Sequence, residues 1–230
     1  MQHYRPILIQ IVLVVTFLVG FTGCRQPDPR DERRARNTAV FNLGADPRSM
    51  DPALGTDIPS ARAVSCLIEG LFKISDTGEL QNAMVEDWTV SPDGLTYNFV
   101  LRDAKWSNGD PVTSDDFYFN WVERVLNPKF GAEYAYMLFY IEGAKEYYDD
   151  PKFDASKVGV KALTPKILWV RLKSPAPFFT QMLAHHIYFP VNRRQVGTLP
   201  EKWSLTTESY VGNGAFTLAE YRPGFSIKMK

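Results

Sequence analysis

The sequence predicts an α/β fold in which short strands and helices are interleaved. A helix is indicated by apolar residues that recur at the spacing of one helix face: Val64, Leu67, Ile68 and Leu71. Side chains alternate over 96–101 behind a Ser-Pro-Asp-Gly turn at 91–94, which is typical of a strand. Segments 159–162 and 167–172, on either side of a Thr-Pro pair, predict two further strands.

A second helix is predicted from its own start and stop signals. Thr113, with Asp116 three residues later, forms the pattern of a capping box. Apolar residues then line one helix face: Phe117, Trp121, Val122 and Val125. Pro128 prevents the helix from running on, because proline lacks a main-chain N–H and clashes with the preceding turn.

The remaining elements are predicted from shorter patterns. Ser60 is expected to cap the helix that carries Cys66, and that helix should end at Gly70 or soon after. Cys66 itself is interpreted as a small, buried hydrophobic residue. A short apolar strand is predicted over 39–43, and a last hairpin over 214–229.

The first 24 residues predict export across the cytoplasmic membrane. An apolar run from Ile7 to Phe21 follows Arg5, is short for a membrane-spanning helix, and indicates a signal peptide over residues 1–23. The residues before Cys24 resemble a bacterial lipobox, which implies that Cys24 is lipidated and becomes the mature N-terminus. Phe21 departs from the leucine usual in that motif. An uncleaved anchor and ordinary secretion are the alternatives, and each leaves the chain extracytoplasmic.

Composition restricts the classes of partner. Formal net charge is zero and the part predicted to fold has no basic face, which argues against nucleic acid. Residues 24–38 mix arginines with acids, which favours a solvated tether over a basic, membrane-binding stretch. The chain has two cysteines, so lipidation of Cys24 would leave no possible disulfide in the mature chain.

No pattern in the sequence indicates catalysis. His185 and His186 are adjacent, which is poor geometry for a shared metal, and no other His or Cys could complete a zinc site. The carboxylate pairs at 115–116 and 149–150 are explained by helix capping and by a loop. We therefore expect a protein that is not an enzyme and has no metal and no cofactor.

A long run that contains two tryptophans carries a resemblance to a known family. The similar segments stand in a fixed order over 40–230: Ser49–Ala53, Glu69–Leu71, Glu86–Trp88, Ser91–Tyr97, Leu101–Thr113, Gly159–Ala162, Ser174–Phe179, Phe189–Val191 and Asn213–Phe216. The chain is similar to the oligopeptide- and dipeptide-binding lipoproteins of bacterial ABC importers, solute-binding protein family 5. It resembles the oligopeptide branch more than the nickel-binding one. The Trp-Ser-Asn-Gly-Asp-Pro segment at 106–111 is interpreted as an architectural turn.

The resemblance implies a two-lobed, periplasmic-binding-protein-like fold of type II, in the large class with an extra inserted domain. Residues 39–68 and 192–230 would form part of the first lobe, and 69–191 the inserted subdomain. The second lobe would follow Lys230, so the fold is expected to be incomplete in this chain. The strand-like end at 221–230, with no closing turn, also suggests a fragment.

The resemblance also implies six ligand-binding residues: Thr56, Asp57, Ile58, Tyr134, Asn213 and Gly214. The first three lie in an extended loop whose main chain would pair with a peptide, and a surface turn led by Gly55 is the alternative. The tyrosine would pack on the ligand, or else in the core. The Asn-Gly pair lies where the chain returns to the first lobe, so a backbone or hinge role is the alternative there.

The function implied is capture of extracytoplasmic oligopeptides by lobe closure and their delivery to an ABC permease and, indirectly, its ATPase. The chain would be a monomer attached to the membrane through its N-terminal lipid. Three alternatives stay open. The same fold could bind a nickel chelate, haem or a sugar, the chain could belong to an exported enzyme such as a peptidase, or it could be a signalling or adhesion lipoprotein.

Overall fold

The computed structural model of the protein describes residues 40–150, 152–200 and 202–230. The predicted signal peptide, Cys24 and the tether lie outside the described residues. Leu43–Lys230 form one compact unit. The strand predicted over 39–43 is wrong for 40–43: the structure assigns no strand to these described residues, and Phe41 is 81% exposed. A strand is stabilised by packing of its side chains against neighbouring strands, and the exposed Phe41 side chain lacks such packing.

The described residues form five α-helices: α1 (Ile58–Leu67), α2 (Ser114–Tyr118), α3 (Ala144–Asp149), α4 (Phe179–Met182) and α5 (Arg193–Thr198). A π-helix, Phe119–Val125, continues α2 directly. Three 3₁₀ helices lie at Ala135–Tyr140, Ala155–Lys157 and His186–Tyr188. None of the helices in the described ranges is long and apolar enough to span a bilayer.

The strands are β1 (Phe72–Ile74), β2 (Leu80–Asn82), β3 (Val85–Val90), β4 (Thr96–Leu101), β5 (Val160–Thr164), β6 (Ile167–Arg171), β7 (Leu218–Arg222) and β8 (Ser226–Met229). The largest sheet is antiparallel, with strand order β3-β4-β6-β5. β1–β2 and β7–β8 are separate hairpins. The predictions of β4, of the β5–β6 pair and of the last hairpin are confirmed.

Two clusters of buried apolar side chains form the core. One lies under the inner face of the four-stranded sheet, where Tyr97, Phe99 and Leu101 alternate inward along β4. The other joins α1 to the C-terminal segments, and Trp203 is its largest side chain. The first cluster draws mainly on residues within 69–191 and the second mainly on residues outside that range. The division into a first lobe and an inserted subdomain stays a prediction.

The start of α1 differs from the prediction. Its N-cap is Asp57, whose carboxylate accepts a hydrogen bond from the main-chain N–H of Ser60 at 2.9 Å. Ser60 is therefore inside the first turn, and Pro59 occupies the early position where the missing N–H costs nothing. The helix ends at Leu67, before Gly70. Cys66 is half-buried and not fully buried, because it lies beside the apolar face of the helix.

The start of α2 agrees with the prediction. The carboxylate of Asp116 accepts a hydrogen bond from the main-chain N–H of Thr113 at 2.8 Å, which completes the capping box. All four residues of the predicted apolar face are fully buried. The conversion to a π-helix was not predicted, and it widens the turn that carries the buried polar residues Asn120 and Arg124.

Candidate functional site

The candidate site is centred on the loop that leads into α1, residues 51–58, and the loop begins at a buried carboxylate. Asp51 is 3% exposed. Its carboxylate accepts hydrogen bonds from the N–H of Ala53 at 3.0 Å and from Nε1 of Trp203 at 3.1 Å, and it forms an ion pair with Arg124. A buried charge is tolerated only when it is paired and hydrogen-bonded. These donors therefore fix the start of the loop.

Arg124 connects this carboxylate to the π-helix. Its guanidinium also donates to Oδ1 of Asn120 at 2.7 Å and lies 4.5 Å from the ring centroid of Phe130. Asn120 in turn donates to the main-chain carbonyl of Phe189 at 2.8 Å. A buried polar network in which each member has a partner rigidifies its surroundings. The loop is thus attached to the core through a network and not through one contact.

The middle of the loop is held through two consecutive main-chain carbonyls, which are bonded by side chains from elsewhere in the chain. Nε2 of His186 lies 2.7 Å from the carbonyl oxygen of Gly55, and the hydroxyl of Tyr134 donates to that of Thr56 at 3.0 Å. Because a carbonyl can only accept, Nε2 of His186 carries the proton. The guanidinium of Arg48 also donates to Oγ1 of Thr56, at 3.3 Å. One side of the loop is therefore hydrogen-bonded to side chains from other segments of the chain.

The rings that hold the loop pack on one another. His185 and His186 stack with centroids 4.2 Å apart, and Tyr134 meets His185 edge-on at 5.6 Å. Burial lowers the pKa of His185 to about 4, with a further contribution from the charge of His186. Burial also lowers the pKa of His186, although the Gly55 carbonyl opposes that shift. Both rings are neutral at neutral pH, so they bring no charge to the site.

Asp57 lies near the end of the loop, and its carboxylate is hydrogen-bonded to the first turn of the helix that follows. Its carboxylate accepts hydrogen bonds from the N–H and hydroxyl of Ser60, at 2.9 and 2.6 Å, and from the N–H of Arg48 at 3.2 Å. Partial burial acts to raise the pKa of Asp57, but these hydrogen bonds outweigh it and the pKa is lowered. The carboxylate is therefore ionised at neutral pH, and its oxygens stabilise the first turn of α1.

The other side of the loop is open. The side chain of Ile58 is 66% exposed and that of Leu54 is 39% exposed. The main-chain N–H of Thr56 has no acceptor within the part of the chain that the structure describes. Because its carbonyls are bonded on one side and the Thr56 N–H is free, this segment can pair with an added extended chain by donating a hydrogen bond to a carbonyl of that chain.

Asn213 and Gly214 lie at the opposite end of α1. The side-chain amide of Asn213 bonds both main-chain groups of Glu69, accepting at 3.0 Å and donating at 3.1 Å. The N–H of Gly214 donates to the carbonyl of Leu67 at 2.9 Å, and a Cβ on Gly214 would lie 2.5 Å from the Leu67 carbonyl carbon. The close contact between Gly214 and the end of α1 is called the crossing here. Because α1 has ten residues, the crossing lies about 15 Å from the loop.

The structure thus brings four of the six predicted site residues together, Thr56, Asp57, Ile58 and Tyr134, and leaves Asn213 and Gly214 apart. Sequence reasoning rejected His186 as a metal ligand in favour of a structural or rim role, but it did not predict the contact with the Gly55 carbonyl. It also missed the pairing of Asp51 with Arg124. Asp51 stands in the Ser49–Ala53 segment that carried the family resemblance, so a signal for it was present. Within the described ranges, no group of three or more His, Cys, Asp or Glu could hold a metal ion.

Residues 79–230 match the family described as bacterial extracellular solute-binding proteins, family 5 Middle. The chain is 34% identical over 230 residues to the oligopeptide-binding protein OppA of Bacillus subtilis, covering 97% of this chain and 42% of that protein. It is 35% identical over 184 residues to the probable deoxycholate-binding periplasmic protein YgiS of Escherichia coli, covering 79% of this chain and 34% of that protein. The chain therefore spans less than half the length of these relatives.

The fold is similar to a crystal structure of Haemophilus influenzae OppA in complex with the peptide RPPGFSPFR. The TM-score is 0.78 at 35% identity, and the match covers 82% of this chain and 37% of that one. The predicted fold class is confirmed by this match, over the part of the fold that the chain spans. Since the family match extends over well more than half of the sequence, the family is established as well. The chain belongs to the bacterial extracellular solute-binding proteins of family 5.

Proposed function

We propose that this chain is part of an extracytoplasmic solute-binding component of an ABC importer, one that captures oligopeptides and delivers them to a membrane permease. The observation that carries the proposal is the 51–58 loop, whose Gly55 and Thr56 carbonyls are held by His186 and Tyr134 while the Thr56 N–H is open. Relatives named for peptide binding support the same function.

The chemistry of the loop suits a ligand of variable sequence. Peptides share their main-chain groups and differ in side chains, so a general binder must use main-chain hydrogen bonds. The neutral histidine rings impose no charge on the ligand, and the Asp57 carboxylate is occupied by Ser60. The anchored loop also reduces the ordering cost of binding, because its conformation is set before the ligand arrives.

Four further features belong to this proposal. The chain acts outside the cytoplasmic membrane, is attached there by a lipid on Cys24 after removal of residues 1–23, works as a monomer, and is not an enzyme. Membership of a solute-binding family supports the extracytoplasmic location and the absence of catalysis, and the lipobox-like sequence before Cys24 supports the lipid anchor. Lobe closure on the ligand would be driven by contacts that are made only in the closed state, and release to the permease would follow when the lobes open.

The test is calorimetric titration of the protein, expressed without residues 1–24 and in the longest form that its gene encodes. Unrelated peptides of two to six residues are the probes, each with a free and an acetylated N-terminus. Binding of several unrelated peptides would support recognition of main-chain groups and ends. No heat with any peptide would overturn the proposal, and the same protein would then be titrated with deoxycholate, a nickel chelate, haem and sugars.

Membrane attachment is tested separately, with the cysteine exchanged. Cells that produce the protein are fractionated after labelling with a fatty acid, for the natural sequence and for Cys24→Ala. Label on the natural protein alone, with loss of the variant from the membrane fraction, would support lipidation. An unlabelled natural protein would overturn the lipid anchor, and recovery at the size of the uncleaved chain would favour an uncleaved anchor over ordinary secretion.

A further inference from the structure

A groove of about 490 Å³ opens beside the 3₁₀ helix Ala135–Tyr140. Its lining residues are aromatic or sulfur-containing except for one lysine: Tyr136, Met137, Phe139, Tyr140, Lys173 and Met182. The volume is within the range of sites that bind small ligands, roughly 300 to 1,000 Å³. In the described part of the chain none of these side chains is hydrogen-bonded to the 51–58 loop, so the groove does not share the bonds that hold that loop.

The apolar wall of the groove reaches the surface of the protein. Tyr136 is 59% exposed, and the four other apolar lining residues are each half-buried. Leu138, in the same 3₁₀ helix, is by contrast fully buried in the core. The helix therefore contributes one side to the core and the other to the groove. A contiguous apolar surface that is open to solvent is typical of a site that another molecule covers.

The walls of the groove are held in place from behind. The main-chain N–H of Lys173 donates to the carbonyl of Tyr140 at 3.0 Å, which joins the two segments that flank the groove. Tyr140 packs edge-on against Phe178, with ring centroids 5.5 Å apart, and Phe139 packs against Tyr148 at 5.3 Å. The two methionines are unbranched and polarisable, so they can adapt to apolar groups of different shape.

Lys173 carries the only charge among the lining residues. Within the described ranges its ammonium group has no ion-pair or hydrogen-bond partner from the protein, and the hydroxyls of Tyr136 and Tyr140 have no hydrogen-bond partner there either. The nearby Lys145 ammonium, 5.6 Å from the centroid of the Phe139 ring, is different because it is paired with Asp149. One apolar groove therefore has three donors that no described protein group engages.

These features select the charge of a ligand. No acidic residue lines the groove, so Lys173 would attract a carboxylate and repel a cationic group. The α-ammonium group of an amino acid or a peptide would meet no carboxylate among the lining residues. A molecule with one carboxylate at the end of an apolar body would instead match both the lysine and the aromatic wall.

We propose that this groove is a second ligand site, separate from the 51–58 loop, and that it binds a fatty acid. The aliphatic chain lies against the aromatic rings and the methionines, and the carboxylate pairs with Lys173. The inference goes beyond the proposed function and does not depend on it, because it requires neither a peptide nor closure of two lobes.

Three probes test the inference by calorimetry on the protein in its longest form without residues 1–24: octanoate, its neutral amide octanamide, and the short-chain acid butanoate. Octanoate should bind about tenfold more tightly than octanamide, because the amide has no charge to pair with the lysine. It should also bind about tenfold or more tightly than butanoate, because the shorter chain buries far less apolar surface.

Two groove variants separate these contacts. Lys173→Gln should reduce the preference for octanoate over octanamide to about twofold. Tyr136→Ala should weaken both ligands by about fivefold, because it removes part of the apolar wall. Both residues are exposed, so each variant is expected to fold. Lys105→Gln is the matched control, since Lys105 is exposed, lies outside the groove, and should leave both affinities unchanged.

Two further measurements distinguish the groove from the 51–58 loop. Tyr134→Phe removes the hydrogen bond to the Thr56 carbonyl and should leave octanoate affinity unchanged. In ¹³C-methyl NMR spectra the signals of Met137 and Met182 should shift when octanoate binds, whereas that of the fully buried Met84 should not move.

Several outcomes would overturn the inference. They are the absence of octanoate binding, equal affinities for octanoate and octanamide, and a preference for the acid that survives Lys173→Gln. Octanoate binding that is weakened by Tyr134→Phe but not by the groove variants would assign the fatty acid to the 51–58 loop and would overturn the inference as well. Unmoved Met137 and Met182 signals would have the same consequence.

Discussion

The hydroxyl of Tyr134 donates a hydrogen bond of 3.0 Å to the main-chain carbonyl of Thr56, which lies 78 residues earlier in the chain. The bond joins the start of a 3₁₀ helix to the loop that leads into α1, so the position of the loop depends on a side chain from a distant element. The Tyr134 ring also rests edge-on against His185, whose neighbour His186 lies against the Gly55 carbonyl. One aromatic cluster therefore holds two consecutive carbonyls of the candidate site.

Tyr134→Phe should loosen this loop without disturbing the ring contacts. The Thr56 carbonyl would lose its donor, and we expect a loss of about 1 kcal/mol in the free energy of unfolding, with peptide affinity several-fold lower. Urea unfolding and calorimetric titration measure the two effects. Tyr136→Phe is the control, because the Tyr136 hydroxyl has no partner in the described part of the chain. Equal stability of the two variants would contradict a role for the bond.

Asp51→Asn should be far more destabilising than its conservative shape suggests. The neutral amide would leave the buried guanidinium of Arg124 without its counter-charge, and breaking a buried pair costs about 3 kcal/mol or more. Urea unfolding measures the change. The control is Asp103→Asn, because the Asp103 side chain is fully exposed in its ion pair with Lys166 and should contribute nothing measurable. Similar unfolding midpoints for the two variants would contradict the role assigned to the buried pair.

Local patterns in the sequence predicted much of the fold. Three features depend on residues only a few positions apart: the capping box at Thr113 and Asp116, the alternation along β4, and the turn between β5 and β6. They can therefore be recognised in the sequence itself. The start of α1 was mispredicted because both Asp57 and Ser60 are good capping residues. Pro59 favours the earlier one, and that signal was present in the sequence.

The site was less predictable because its contacts join distant segments. Asp51 and Arg124 are 73 residues apart, and neither residue type specifies its partner in advance. The same is true of His186, which is 131 residues from the Gly55 carbonyl that it contacts. The resemblance to a family pointed to Thr56 and Tyr134, but the hydrogen bond between them follows only from the packing of the whole unit.

The crossing at Gly214 should not tolerate a methyl group. Gly214→Ala would place a Cβ 2.5 Å from the carbonyl carbon of Leu67 and 2.7 Å from the nitrogen of Ile68, both of them main-chain atoms. The segment would have to move away from the end of α1, and we expect a loss of about 2 kcal/mol or more in the free energy of unfolding. Thermal and urea unfolding measure it.

Gly197 provides the matched control for that substitution. It lies in α5, and a Cβ there would have no heavy atom within 4 Å, so Gly197→Ala should stabilise the protein by up to about 1 kcal/mol through helix propensity. The two variants add the same methyl group with opposite expected signs. If Gly214→Ala were as stable as the natural protein, the close crossing would not be a constraint on the fold.

Acidification should destabilise the protein in part through His185. Burial lowers its pKa to about 4 in the folded state, whereas an unfolded histidine has a pKa of about 6.5. Between these values the unfolded state binds more protons, so the free energy of unfolding should fall as the pH falls from about 6.5 to about 4. The loss should be complete below about pH 4, once both states bind the proton.

His185→Asn isolates this contribution. The amide oxygen of asparagine can accept the hydrogen bond that Nδ1 of His185 accepts from the N–H of Ile187, but it does not titrate. We expect urea unfolding at several pH values from 7.5 to 4 to show a shallower decline for the variant, since the carboxylates titrate alike in both proteins. Parallel profiles would mean that His185 has the same pKa folded and unfolded, and the neutral ring assigned to the site would then be wrong.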